Sequence, residues 1–220
     1  MNSQLNKIKI AIQQKNFHQA EVICWQSYKN NSKDYELIKL LALSLLMQNK
    51  TYGAIEKYQQ LFDMNKKDLD VSNNLAHLYL TVEEFRKANE LIEISINNFP
   101  DSYYPYLNQG ELHFRKRDFN KAKRSMDKVI EIIGDIKKFA NVLHFVQLHG
   151  DILLALNRRE EALDFVKKCF EINQDTTIFY YLMNLDKNFY SPDKVDSYIE
   201  SKLKINFDSA SQRFQILAPM

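Results

Sequence analysis

Apolar positions along the chain recur at i, i+3, i+4 and i+7 and do not alternate, which is the spacing of amphipathic helices rather than half-buried strands. Ile38, Leu41, Ala42 and Leu45 form one such set, and Leu75, Ala76 and Tyr79 most of another. Short polar stretches interrupt the runs: QNK at 48–50, TVE at 81–83, KRD at 116–118 and NRR at 157–159. They read as turns between paired helices. Pro100 closes one helix, Asp101 or Ser102 caps the next, and Pro105 is tolerated in its first turn. Glu83–Glu84 and Glu160–Glu161 fall at helix N-termini, where the macrodipole favours anions, and this accounts for them better than a catalytic carboxylate pair.

The same pattern returns at a fixed interval. The segments NFHQAEVI, TYGAIEKY, EFRKANEL, DFNKAKRS and REEALDFV align on Ala20, Ala54, Ala88, Ala122 and Ala162, at successive separations of 34, 34, 34 and 40. Twelve positions before each of the last four lies a second small residue: Ala42, Ala76, Gly110 and Gly150. Small side chains at two fixed points let two helix axes approach closely. The longer last step has its own signal. Gly134–Asp135 reads as a helix stop and a new cap, and IKKFANVLHFVQLHGDILLAL then stays apolar-periodic as far as Leu156. The expectation is a first helix about six residues longer than its counterparts, adding ~9 Å.

Composition narrows the class. The 220-residue chain is 45% hydrophobic and 26% charged, enough to bury a core. Four Gly and four Pro are few for an all-β fold. A formal net charge of +2 gives no global field for nucleic acid or membrane surfaces. Cys24 and Cys169 have no CxxC spacing and are expected as buried free thiols in a reducing compartment. The most apolar segment, LIKLLALSLLM at 37–47, is too short to span a bilayer, and MNSQLNKIKIAIQQKNF lacks a signal-peptide core. A cytoplasmic location is expected.

This pattern resembles the tetratricopeptide repeat (TPR) family, whose unit is a 34-residue helix–turn–helix. The third unit carries the resemblance best, in Leu75, Ala76, Tyr79, Phe85, Ala88 and Pro100, followed by the fourth in Tyr106, Gly110, Phe119 and Ala122. His113 stands where an aromatic is usual, and Arg159 replaces the aromatic before Ala162. The resemblance implies an all-α, right-handed superhelical solenoid of antiparallel helix pairs. Five repeats are expected, at about 1–34, 35–68, 69–102, 103–136 and 137–176, with a degenerate repeat and C-terminal helices over 177–220. Within that last part, TTIFYYLMNL at 176–185 reads as one more first helix, and Ser191–Pro192–Asp193 as a further helix start. The close on ILAPM fits either the front part of a longer protein or a folded-back tail.

The resemblance further implies that the first helices line a concave groove. Its expected lining is Lys39, Leu43, Leu46 and Met47 in the second repeat, Asn73, His77 and Leu80 in the third, Tyr104, Leu107, Glu111, Phe114 and Arg115 in the fourth, and His144, Gln147 and Asp151 in the fifth. Apolar anchors among mixed charges suit a peptide or amphipathic helix of a partner protein. The alternatives are that the chain's own C-terminal segment or a second copy fills the groove. Some family members grip C-terminal carboxylates with Lys, Asn and Arg. Here Lys39 and Asn74 match, but Leu43, Tyr104 and Asn108 occupy the other positions, so no such clamp is expected.

The basic run RDFNKAKRSM at 117–126 sits mostly on a second helix, is diluted by Asp118 and Asp127, and reads as a solvated face rather than a nucleic-acid site. HExxH, Gly-rich phosphate-loop and GxSxG patterns are absent. His144 and His149, five apart, do not share a helix face, and His113 and His149 fall at packing positions. No catalytic, cofactor-binding or metal-binding residues are therefore expected. The functional expectation is a non-enzymatic protein-interaction scaffold. The alternative is a TPR module in front of a catalytic domain beyond residue 220, such as a sulfotransferase or glycosyltransferase. A homodimer through the C-terminal end is the third possibility.

Overall fold

A computed structural model of the chain describes residues 2–29 and 31–186. The helix start at Ser191–Pro192–Asp193, the segments after it and the C-terminal dimer contact lie outside the described residues. Twelve α-helices and no strand occur among the described residues. The chain falls into two compact units, Met1–Asp135 and Ile136–Met220.

The first unit stacks four helix pairs. These are α1 (Asn2–Gln13) with α2 (Phe17–Tyr28), α3 (Tyr35–Leu46) with α4 (Thr51–Met64), α5 (Leu69–Thr81) with α6 (Phe85–Asn98), and α7 (Tyr103–Arg115) with α8 (Phe119–Ile133). The starts of α3, α5 and α7 recur at the interval of the marker alanines, as do those of α2, α4, α6 and α8. Within this unit α2, α4 and α6 each also pack on the first helix of the following pair.

The marker alanines explain the stacking. Ala20, Ala54, Ala88 and Ala122 are all fully buried, as are Ala42 and Ala76 in the facing first helices. At Gly110 an added Cβ would overlap the Met126 methyl, so α7 approaches α8 closer than even an alanine allows without displacing Met126. Around these contacts Ile38, Leu41, Tyr58, Leu61, Leu75 and Ile92 form a continuous apolar core with essentially no exposure.

The turn inside every pair is one motif. Lys15, Asn49, Glu83, Arg117 and Asn157 all adopt the left-handed conformation, with φ of 57–61°. In each, the next residue's N–H bonds the carbonyl five positions back, as in Lys50 N–H to Leu45 O at 3.0 Å and Asp118 N–H to His113 O at 2.9 Å. This Schellman closure satisfies carbonyls that the helix end leaves without partners, and here it is built without glycine. The turns expected at 48–50, 81–83, 116–118 and 157–159 contain four of these positions.

The second unit contains α9 (Ile136–Phe139), α10 (Leu143–Ala155), α11 (Arg159–Ile172) and α12 (Thr176–Leu185). Here the structure corrects the sequence expectation. The predicted extended helix is broken: a one-turn helix ends at Phe139, and α10 is a separate helix of 13 residues, the length of α5 and α7. The extra length of the last repeat step lies in α9 and its link, not in a protruding helix. The Ala140 carbonyl, freed by the break, accepts from Asn173 Nδ2 at 3.1 Å, while Phe139 packs 5.3 Å from Phe145 and 5.9 Å from Phe165. Gly150 is also a close approach, but to α12 rather than to the second helix of its own pair. Its added Cβ would lie 2.5 Å from the Tyr181 hydroxyl, which donates to Asp151 Oδ1 at 2.7 Å.

Candidate functional site: the first-helix face

In the first unit the inner ends of the predicted lining are joined from one first helix to the next. Lys9 pairs with Glu36 at 2.9 Å between α1 and α3. Lys39 on α3 reaches Asp68 at 2.8 Å and Asp70 at 3.2 Å. Asn108 on α7 donates to the Asn73 carbonyl at 3.0 Å and its Oδ1 at 2.7 Å. Glu111, only 4% exposed, takes Arg115 Nε at 2.8 Å and Nη2 at 2.7 Å and lies 3.3 Å from His77 Nδ1. Each contact fixes a side chain that would otherwise wander, so the face is pre-ordered across its repeats.

Asp68 joins three partners. It caps α5 by accepting from Val71 N–H at 3.1 Å, and Oδ2 also takes the Tyr35 hydroxyl at 2.9 Å. Burial works against its charge, but the Lys39 ammonium, the Val71 N–H and the Tyr35 hydroxyl outweigh it and hold the carboxyl below its ordinary range. Its place in the face was missed from the sequence. The readable signal was an N-cap Asp one turn before a helix, while Lys39, far back in the preceding repeat, gives no local cue.

The apolar anchors divide. Leu43, Leu46 and Phe114 are half-buried, Met47 is 51% and Tyr104 40% exposed, and the Tyr104 ring stacks on Tyr103 at 4.2 Å. Leu80 is fully buried in the core and Leu107 nearly so, so neither lines an open groove. The resemblance placed both in the lining, and their burial departs from that expectation. In the second unit His144 is exposed, Gln147 and Asp151 are half-buried, and the last two both receive the Tyr181 hydroxyl, at 3.3 Å on the Gln147 carbonyl.

Two of the four cations of the basic run are paired with carboxylates. Lys121 pairs with Asp118 at 2.9 Å and Lys123 pairs with Asp127, while Arg117 occupies the left-handed turn. Cys24 and Cys169 are buried free thiols, and burial pushes both up to about 12, which keeps them unreactive. Among the described residues no helix is long and apolar enough to cross a membrane.

Stacked helix pairs of regular period, closed on small residues, define an all-α repeat fold of the kind used as a protein-binding framework. Residues 103–135 and 144–176 match the tetratricopeptide repeat family model, and the chain carries tetratricopeptide repeats. The two matches leave out 136–143, the stretch occupied by α9 and its link. Among solved structures the fold is similar to a tetratricopeptide repeat protein from Parabacteroides merdae, with TM-score 0.75, 13% identity, and coverage of 97% of this chain and 81% of that one. It is also similar to a thermophilic TPR protein from Thermus thermophilus, with TM-score 0.70, 15% identity, and coverage of 84% and 97%. Among curated proteins, the BBSome complex member BBS4 of Bos taurus is 30% identical over 112 residues, which is 50% of this chain and 21% of that protein. The matched stretch thus spans about a fifth of that relative's length. Repeats of this family indicate a protein–protein interaction scaffold.

Proposed function

We propose that the chain is a non-enzymatic scaffold whose first-helix face receives a peptide or helix of a partner protein. The observation that carries this reading is the combination of exposed Met47 and Tyr104 and half-buried Leu43, Leu46 and Phe114 with polar neighbours already fixed by contacts along the first helices. Apolar anchors supply affinity, and pre-ordered polar groups set register at little further entropic cost. Membership of the similar BBS4 protein in a multi-protein complex supports the same reading. The location consistent with it is cytoplasmic.

The test compares captured proteins from host lysate on the wild-type chain and on a Met47→Glu/Phe114→Glu variant, each shown by circular dichroism to be folded. Partners retained by the wild type and lost from the variant are the expected result. A capture set unchanged by these substitutions would remove the first-helix face from consideration.

A further inference from the structure

A different place in the first unit departs from its own repeat. Between α7 and α8 lies a cavity of about 280 Å³, lined by Gln109, His113, Lys121, Arg124, Ser125 and Lys128, with Tyr106 at its edge. One repeat earlier the equivalents of Gln109 and Ser125 are Leu75 and Leu91, both buried in the apolar core. The fourth repeat replaces that leucine pair with two polar side chains: the Ser125 hydroxyl lies within donating distance of Gln109 Oε1 at 3.0 Å and of the Lys121 carbonyl at 3.2 Å. The Gln109 amide nitrogen retains its N–H donors.

The charges change at the same place. The position of Arg124 is Glu56 in the second repeat, Glu90 in the third and Asp164 in the fifth, so an acid becomes a guanidinium in this repeat alone of the four. Lys128 stands where the third repeat has Ile94. Lys121, Arg124 and Lys128 follow one another at helical spacing along α8, and no carboxylate lines the cavity. Asp118 and Glu131 pair with Lys121 and Lys128 at 2.9 Å and 2.7 Å, but both are surface pairs, which exchange partners at little cost. His113, half-buried where the third repeat has Tyr79, is held below its ordinary pKa first by burial and then by the neighbouring Lys121 and Lys116, against the opposing pull of Asp118 and Glu93.

We propose that this crevice is an oxyanion site of the phosphate-monoester class, with Arg124, Lys121 and Lys128 neutralising the charge and Gln109 donating a hydrogen bond. A cavity below the ~300–1,000 Å³ of drug-sized sites takes a single ionic group rather than a whole cofactor. Three cations and planar guanidinium donors favour a tetrahedral dianion over a carboxylate. The site lies on α7 and α8 away from the open side chains of the first-helix face and stands or falls independently of that reading.

The experiment is a titration of ¹⁵N-labelled protein, following the Gln109 side-chain amide and the His113 ring. Its arms are inorganic phosphate, a short phosphoserine peptide, the same peptide unphosphorylated, and sodium chloride at matched ionic strength. The expected result is saturable shifts with the phosphate-bearing probes only, accompanied by a rise in the His113 pKa. Arg124→Glu, which restores the acidic residue type of the second, third and fifth repeats at an exposed position and so keeps the fold, weakens binding by about tenfold or more. Gln109→Leu/Ser125→Leu, which restores the apolar pair of the third repeat, abolishes it. Tighter binding of the phosphopeptide assigns the anion to a partner's side chain, and equal or tighter binding of inorganic phosphate assigns it to a free ion. Absence of saturable shifts at about 10 mM probe, an affinity too weak to hold a site, overturns the proposal. So does an Arg124→Glu protein that binds as well as wild type.

Discussion

The third and fourth helix pairs are built on one template and use it differently. Both close on a small residue facing a buried alanine, Ala76 with Ala88 and Gly110 with Ala122, and both turn through a left-handed residue, Glu83 and Arg117. In the third pair the remaining positions go to the core. Leu75, Tyr79, Leu80 and Leu91 are all buried, and Asp68 locks the entrance of α5 to α3. In the fourth pair the same positions are Gln109, His113, Phe114 and Ser125, none of them a fully buried apolar group, and the Asp68 position is Ser102, whose side chain makes no cap bond. The difference teaches that core packing is apportioned by repeat: a pair whose packing is complete leaves few polar or open side chains, and one that keeps them has given up core.

The widest separation between the two pairs is expected at equivalent positions 80 and 114. Leu80→Glu puts a charge where no water reaches and should cost roughly 3–5 kcal/mol. Phe114→Glu, at a half-buried site, should cost about 1 kcal/mol. Urea unfolding followed by circular dichroism measures both. Equal losses would mean that the two repeats do not differ in how they enclose this position.

Asp68 comes next. Asp68→Asn keeps an N-cap side chain but removes the charge that Lys39 and Tyr35 address, and should cost about 2 kcal/mol at pH 7. The sign with pH follows from the direction of its shift. Because the folded carboxyl lies below its ordinary value of 3.8, its stabilisation is complete above that pH and is lost as pH falls through the folded value. The wild-type advantage over Asp68→Asn should therefore be constant from neutral down to about pH 5 and shrink below pH 3.8. Ser102→Ala, at the matching entrance of α7, should change stability by less than about 0.5 kcal/mol because no side-chain cap bond is lost.

Converting the fourth pair toward the third should then recover core. Gln109→Leu/Ser125→Leu replaces a hydrogen-bonded polar pair with apolar side chains and should raise stability by about 1–2 kcal/mol, read as a higher urea midpoint. A loss instead would show that the crevice between α7 and α8 has no room for the leucine arrangement of the preceding repeat.

How much of this was legible in the sequence depends on whether the deciding contact was local. The alanine register was legible because a crossing point tolerates only small residues, and Ala20, Ala54, Ala88, Ala122 and Ala162 are all fully enclosed. The break after Phe139 was not. Apolar periodicity runs straight through it, and what makes it stable is a carbonyl satisfied by the distant Asn173, together with the rings around Phe139. For the candidate face, the resemblance supplied which residues of each first helix to expect in the lining. It could not say that Leu80 and Leu107 are buried, nor that Glu111 is held by Arg115 and His77.

The smallest expected effect is one in which the two pairs should not differ at all. Glu83 and Arg117 hold φ near 60°, a conformation that crowds Cβ against the following carbonyl and costs an ordinary residue about 1–2 kcal/mol. Glycine removes that strain but loses more backbone freedom on folding, by roughly 0.5–1 kcal/mol, so each replacement should give a net gain of about 0.5 kcal/mol. Neither side chain is in the core, so nothing else changes. Glu83→Gly and Arg117→Gly should therefore raise the unfolding midpoint by the same small amount, and their effects should add in the double variant because the turns share no partner. If Arg117→Gly alone were destabilising, the guanidinium would be contributing something in the fourth pair that its place in the turn does not reveal, and the division between a shared framework and a specialised surface would have to be redrawn to include the turn itself.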